Sequence, residues 1–131
     1  MKILITGVTG FVGKHLLEFL AKNHLKSGSC SNPCNKPSES LEILGVDINT
    51  ECFDLEGFRR NLKAALPEGN SPKVSMEKID LREREKTEKM IKFFQPDRIY
   101  HLAAQSSVKY SWDNPVETFE VNVFASINIL K

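Results

Sequence analysis

Short apolar runs and helix-period stripes take turns along this chain. Ile3-Leu4-Ile5 is a buried-strand run that leads straight into a glycine-spaced turn, Gly7-Val8-Thr9-Gly10-Phe11-Val12-Gly13. Leu16, Leu17 and Leu20 then share one face, with Lys14, Glu18 and Lys22 elsewhere, the spacing of a helix packed on a sheet. A second strand is predicted over Leu41–Ile48, ending in an acid. Leu55, Phe58, Leu62, Ala65 and Leu66 predict a helix from Asp54 to Leu66, with Pro67, Gly69, Asn70 and Pro72 closing it. A third strand, Val74–Ile79, runs into Asp80-Leu81, followed by a helix carrying Thr87, Met90, Ile91 and Phe94 on one side. Gln95-Pro96-Asp97 stops that helix. The fourth strand reads Arg98–Ala103 and gives way to Ala104-Gln105-Ser106-Ser107-Val108. Asn114 then caps and Pro115 opens a last helix with a stripe of Val116, Phe119, Val123, Ile127 and Leu130.

Strand and helix alternate four times, which predicts an α/β fold with a parallel sheet covered on both faces. Right-handed crossovers give a Rossmann-like doubly wound sheet of strand order 3-2-1-4. Ligands of such sheets bind where the order reverses, at the carboxyl ends of strands one and four. That brings Gly7, Gly10, Ala103 and Gln105 together. The last helix reaches Leu130-Lys131 with no glycine stop, so residues 1–131 read as the N-terminal part of a dinucleotide-binding domain, truncated after the fourth strand–helix unit and without its substrate domain.

The glycines give this cleft its chemistry. A pyrophosphate needs bare backbone N–H groups at the positive end of a helix. Gly7 allows the sharp turn after the strand, Gly10 lets backbone approach the phosphates, and Gly13 lets the first helix lie close to the sheet. The spacing is G-x-x-G-x-x-G, and no Lys-Ser/Thr follows it, which argues against a nucleoside-triphosphate P-loop. Asp47 ends the second strand, where an acid accepts both ribose hydroxyls of an adenosine and repels a 2′-phosphate. No arginine stands beside it, so NAD(H) is preferred, with NADP(H) the alternative. Asp80 is placed to accept from an adenine amino group, or else to cap the next helix, and Leu81 to pack on the ring. The cofactor-binding set is thus Gly7, Gly10, Phe11, Val12, Gly13, Asp47, Ile48, Asp80, Leu81, Leu102, Ala103, Ala104 and Gln105. His101 reads as a strand residue rather than a catalyst.

Composition narrows the partners. A net charge of +1, from 18 Lys plus Arg against 17 Asp plus Glu, supplies no basic stripe for nucleic acid or an anionic membrane. The N-terminal apolar run is too short for a membrane span and lacks the features of a secretion signal, so the cytoplasm is expected. Three cysteines, Cys30, Cys34 and Cys52, suit reduced thiols. Two of them lie in a surface loop, Lys26–Ser38, rich in Ser, Asn, Pro and Gly. His24 with these cysteines lacks paired zinc spacings, and no metal site is expected.

Thr6-Gly7-x-x-Gly10-Phe11-x-Gly13, Asp47, Asp80-Leu81 and His101-Leu102-Ala103-Ala104-Gln105 together resemble the extended short-chain dehydrogenase/reductases of the NAD-dependent epimerase/dehydratase family, which act on nucleotide sugars. Gln105-Ser106-Ser107-Val108, Ser111-Trp112, Asn114-Pro115, Thr118 and Val121-Asn122-Val123 look most like the GDP-4-keto-6-deoxy-mannose reductases, with the GDP-mannose 4,6-dehydratases next and a sugar-nucleotide epimerase the further alternative. The resemblance implies a GDP-linked sugar substrate, hydride exchange at its C4 ketone, and a homodimeric parent enzyme. It also implies that Ser106, Ser107 and Val108 line the substrate side and that Asn122 braces the strand ends. The family's Tyr-x-x-x-Lys pair is not among these residues: Tyr100 is followed four later by Ala104, and Tyr110 by Asn114. No catalytic residue is therefore assigned within the chain, and a noncatalytic dinucleotide-binding sensor or scaffold is the alternative of a different class.

Overall fold

The structure, a computed structural model, describes residues 1–23, 40–66 and 71–131. The loop read over Lys26–Ser38, with His24, Cys30 and Cys34, lies outside them, as do Pro67, Gly69 and Asn70. Four parallel strands, β1 (Lys2–Thr6), β2 (Glu42–Asp47), β3 (Lys73–Lys78) and β4 (Arg98–His101), stand in the order β3-β2-β1-β4. Between them run α1 (Phe11–Asn23), α2 (Leu55–Ala65) and α3 (Arg84–Phe94). This is the predicted doubly wound topology.

Period-two alternation divides the core between the two sheet faces. Ile3, Ile5, Ile43 and Val74 pack with Leu17 and Ala21 of α1 and Leu62 of α2. Leu4, Leu44 and Val46 face the other way, onto Met90 and Phe94 of α3. The strand aliphatics are almost completely buried, Leu4 and Ile5 at 0% exposure, and each such side chain contributes roughly 1.5–3 kcal/mol of hydrophobic stabilisation. Asp54 caps α2 by accepting from the Gly57 N–H at 2.8 Å. Gln95 ends α3 in the left-handed region, φ 49°, with its N–H on the Ile91 carbonyl, and Pro96 prevents continuation. Asp97 then ties the start of β4 to β1, its carboxylate accepting from the Lys2 N–H at 2.6 Å.

Several expectations need correction. Strand β4 ends at His101 rather than Ala103, although the Leu102 N–H still donates to the Thr6 carbonyl. Ala65 is exposed, because α2 meets the sheet through Leu62 and the chain leaves the helix at Leu66. A short helix, α4 (Val108–Asp113), occupies a stretch to which the periodicity gave no element.

The largest correction concerns the last helix. It begins as α5 (Pro115–Phe119), passes through a π turn over Glu120–Phe124 and continues as α6 (Ala125–Leu130). The Ala125 N–H reaches back to the Glu120 carbonyl, five residues away. The extra residue in the turn rotates the register, and Val116, Phe119, Ile127 and Leu130 of the predicted stripe lie exposed. The face on the core is instead Ala125, Asn128 and Ile129. Asn128 earns no weight in an apolar count, yet its amide donates to the Leu81 carbonyl at 2.9 Å and the Arg82 carbonyl at 3.3 Å.

Candidate functional site

A cleft of about 480 Å³ opens at the carboxyl ends of the strands. Its walls include Gly7, Gly10, Asp47, Ile48, Leu81, Leu102, Ala103, Ala104 and Gln105. The β1–α1 turn forms one side. Gly7 adopts φ +69°, and a Cβ there would stand 2.6 Å from the Ala103 backbone nitrogen, so both conformation and contact demand glycine. At Gly13 a Cβ would fall 2.2 Å from the Gly7 carbonyl oxygen; α1 begins pressed on the turn itself. Gly10 differs, since a Cβ there would meet only the Gly7 oxygen, at 3.2 Å. Its open side belongs to the cleft. The first turn of α1 carries no acidic side chain, whereas α2 and α3 begin with Glu56 and Glu85, so the positive end of the α1 dipole is left uncompensated by acids of that turn.

Asp47 faces this turn across the cleft floor. Its Oδ2 accepts from both the N–H and the hydroxyl of Thr9, at 3.1 and 2.8 Å. Its Oδ1 accepts from the Asn49 N–H at 3.3 Å.

The opposite lip is electrostatic. Arg82 lines the cleft and chelates Asp80, with Nε 3.1 and 3.0 Å from the two carboxylate oxygens and Nη2 2.7 Å from Oδ2. Its Nη1 reaches Glu117 at 3.2 Å, and the Tyr110 hydroxyl also donates to Glu117. The β3–α3 loop is thereby pinned to α4 and α5. The Arg82 hydrogen bonds hold the Asp80 carboxyl below the usual carboxylate range, the hydrogen bond to Asp80 raises the Arg82 guanidinium, and the bond to Glu117 raises the Tyr110 phenol.

A third set of contacts fixes the end of β4. Asn122, in the π turn, donates from Nδ2 to the Gln105 carbonyl at 3.0 Å and accepts the Gln105 N–H on Oδ1 at 2.8 Å, the bracing expected of it. Thr6 Oγ1 accepts from the Leu102 and Ala103 N–H groups, so its own proton goes to His101 Nδ1, 2.6 Å away. His101 Nε2–H is left to donate to Ser126 Oγ at 3.0 Å, and that hydroxyl donates to the Asn122 carbonyl. Assigned this way, the network holds a neutral imidazole. Burial lowers the His101 pKa in the same direction.

Not every candidate reaches the cleft wall. Phe11 and Val12 point to solvent, and Gly13 is buried beneath the turn. Asp80 turns to Arg82 and accepts the Arg82 N–H at 3.0 Å; the N-cap position of α3 belongs to Glu83. Ser107 caps α4, accepting from the Tyr110 N–H, and Ser106 and Val108 are exposed. Val121, the first residue of the Val121-Asn122-Val123 segment, lines the cleft, and so do Thr9, Arg82, Tyr110, Glu117 and Ala125, to which the sequence assigns no site role. Only Arg82 carried a signal, as the residue directly after Asp80-Leu81.

A four-stranded doubly wound sheet with a glycine turn and an acid meeting at its reversal point defines a Rossmann-like nucleotide-binding unit. The family model described as GDP-mannose 4,6 dehydratase matches residues 4–131, and the chain belongs to that family, among the NAD-dependent epimerase/dehydratase short-chain dehydrogenase/reductases. The subfamily resemblance put the reductases first and these dehydratases second. Protein CapI of Staphylococcus aureus is 30% identical over all of this chain and 33% of its own length. GDP-mannose 4,6 dehydratase 2 of Caenorhabditis elegans is 28% identical over 97% of this chain and 29% of its own. The UDP-glucose 4-epimerase of Thermus thermophilus, solved in complex with NAD, superposes with a TM-score of 0.65 at 32% identity, covering 99% of this chain and 32% of the epimerase. The chain spans about a third of the length of the curated relatives it matches. Among the described residues no helix is long and apolar enough to cross a membrane.

Proposed function

We propose that this chain forms the NAD(H)-binding part of a cytoplasmic nucleotide-sugar enzyme whose parent exchanges hydride with C4 of a GDP-linked 4-keto-6-deoxyhexose. The observation that carries the reading is the pairing of Gly10, whose missing side chain leaves the cleft open beside the start of α1, with Asp47 at the end of β2 in the same cleft. The Gly7 and Gly10 N–H groups go to the Val46 and Gly7 carbonyls, so it is the open side of Gly10 and the acid-free first turn of α1 that suit a diphosphate. Asp47 suits a ribose and disfavours a 2′-phosphate. Apolar Ile48, Leu81 and Val121 suit an adenine ring between the lips. The nicotinamide, when bound, supplies the hydride, and in this reading the substrate-side residues Ser106, Ser107 and Val108 follow Gln105 toward the sugar.

The resemblance of Gln105–Val108 and Val121–Val123 supports reduction of the C4 ketone. The matched family description favours a second reading, GDP-mannose 4,6-dehydration, which uses the same cofactor cleft. Exposed Trp112, Val116, Phe119 and Leu130 on α4–α6 suit pairing of the parent enzyme as a homodimer. Titrating the 131-residue chain with NADH and NADPH tests the cofactor reading: weak, saturable binding with NADH the tighter ligand is expected. NADPH binding about tenfold tighter than NADH, a difference of about 1.4 kcal/mol, would overturn the role given to Asp47. Without a Tyr-x-x-x-Lys pair the same chain is expected to oxidise no NADH on adding a GDP-4-keto-6-deoxy sugar, and clear turnover would contradict the account.

A further inference from the structure

Thr9 stands between Gly7 and Gly10, yet its side chain serves neither the turn nor the core. Both of its donors, N–H and hydroxyl, go to one atom, Asp47 Oδ2, at 3.1 and 2.8 Å. An ionised carboxylate offers about four lone-pair positions, two on each oxygen. Thr9 fills the two on Oδ2, and the longer bond from the Asn49 N–H takes one on Oδ1. The carboxylate is thereby tied to the β1–α1 turn through Oδ2 and to its own loop through Oδ1.

We propose that Thr9 is the positioning residue for coenzyme choice: it fixes the Asp47 carboxylate toward the ribose hydroxyls, and so sets the preference for NADH over NADPH. The inference rests on reading the cleft as an adenine-dinucleotide site. Aspartate χ2 is a broad torsion with little intrinsic preference, so the carboxylate plane is set by its hydrogen bonds. With the Thr9 hydroxyl in place, a fixed negative charge faces the ribose edge, where it accepts a hydroxyl and repels a phosphate. With the hydroxyl gone, the carboxylate keeps only the longer bonds from the Thr9 and Asn49 N–H groups, its orientation loosens, and both the attraction and the repulsion weaken. The two coenzymes then respond in opposite senses, which general loosening of the turn does not produce.

The test is a Thr9→Val chain, which keeps the side-chain shape and the N–H but deletes the hydroxyl, titrated with NADH and with NADPH beside the wild type. The ratio of the two dissociation constants is expected to shrink about tenfold, in keeping with a hydrogen bond to a charged group, through weaker NADH binding and unchanged or tighter NADPH binding. Thr9→Ser, which retains the hydroxyl, restores the wild-type ratio. In an Asp47→Asn background Thr9→Val leaves the ratio where Asp47→Asn alone puts it, because the two residues act as one unit. A Thr9→Val ratio within about twofold of wild type, a scatter that additive independent sites also show, overturns the proposal. So does equal weakening of both coenzymes, or a Thr9→Val chain that fails to fold, since each makes Thr9 architectural. A wild-type chain that binds neither dinucleotide removes the underlying cofactor reading as well, whereas NADH preference kept intact in Thr9→Val overturns this inference alone.

Discussion

The two lips of the cleft are built on different physics. The β1–α1 turn is held by shape: Gly7 and Gly13 sit where a single added carbon would strike backbone at 2.6 and 2.2 Å, and Ile3, Leu4 and Ile5 of the strand beneath are buried. The α4–α6 lip is held by polar staples. Asn122 clamps Gln105, Asn128 ties α6 to Leu81 and Arg82, and Arg82 with Glu117 and Tyr110 joins α5 to the β3–α3 loop. Apart from Ile129, its largest apolar side chains point outward, Trp112 at 82% exposure and Leu130 at 85%. A lip held by shape tolerates almost no change in volume, whereas one held by staples tolerates changes in bulk and fails when a buried donor is removed.

Breaking the first lip is expected to have the largest effect. Gly7→Ala forces a side chain into the left-handed region and against the Ala103 backbone, and should cost about 3 kcal/mol, read as a lower midpoint in urea. The second lip answers to a different kind of substitution. Asn128→Leu keeps the number of side-chain heavy atoms but takes the amide donor from the Arg82 carbonyl and leaves the Leu81 carbonyl only the Thr87 hydroxyl at 3.3 Å, and a loss of about 2 kcal/mol is expected in the same assay; no loss would show that the Arg82 carbonyl finds water.

A pH titration sharpens the comparison where the two lips meet, at the Thr6–His101–Ser126 chain. Burial keeps the folded pKa of His101 below the ordinary 6.5, so under acidic conditions the unfolded chain binds a proton that the fold resists. Stability is full above the unfolded pKa and declines as pH falls from 7 through about 6.5. His101→Gln should flatten that part of the melting-temperature profile, and an unaltered slope would assign it to other groups. The smallest effect belongs to the outward apolar face: Trp112→Ala should change stability by less than about 0.5 kcal/mol.

The same division decides how much the sequence reveals. Ile3–Ile5, Leu41–Val46 and the glycine spacing reveal strand, turn and topology because volume and backbone freedom are written in residue type. The register of α5–α6 is hidden, because the π turn shifts the helix by one residue and the face on the core uses Ala125 and Asn128, which no hydrophobic stripe contains. Asp80 is hidden for a related reason. Its position after β3 is plain, but its capture by Arg82 depends on where a long side chain folds back. Thr9 escapes notice as an ordinary residue inside a glycine motif, and its bond to Asp47 spans 38 positions of sequence.

The central claim is that bare backbone at the start of α1 receives a diphosphate, and Gly10→Leu tests it most directly. A Cβ at this position crowds only the Gly7 oxygen, so the fold should persist while the cleft is blocked. NADH affinity is expected to fall below detection with the melting temperature nearly unchanged. A Gly10→Leu chain that binds NADH as the wild type does would contradict the account.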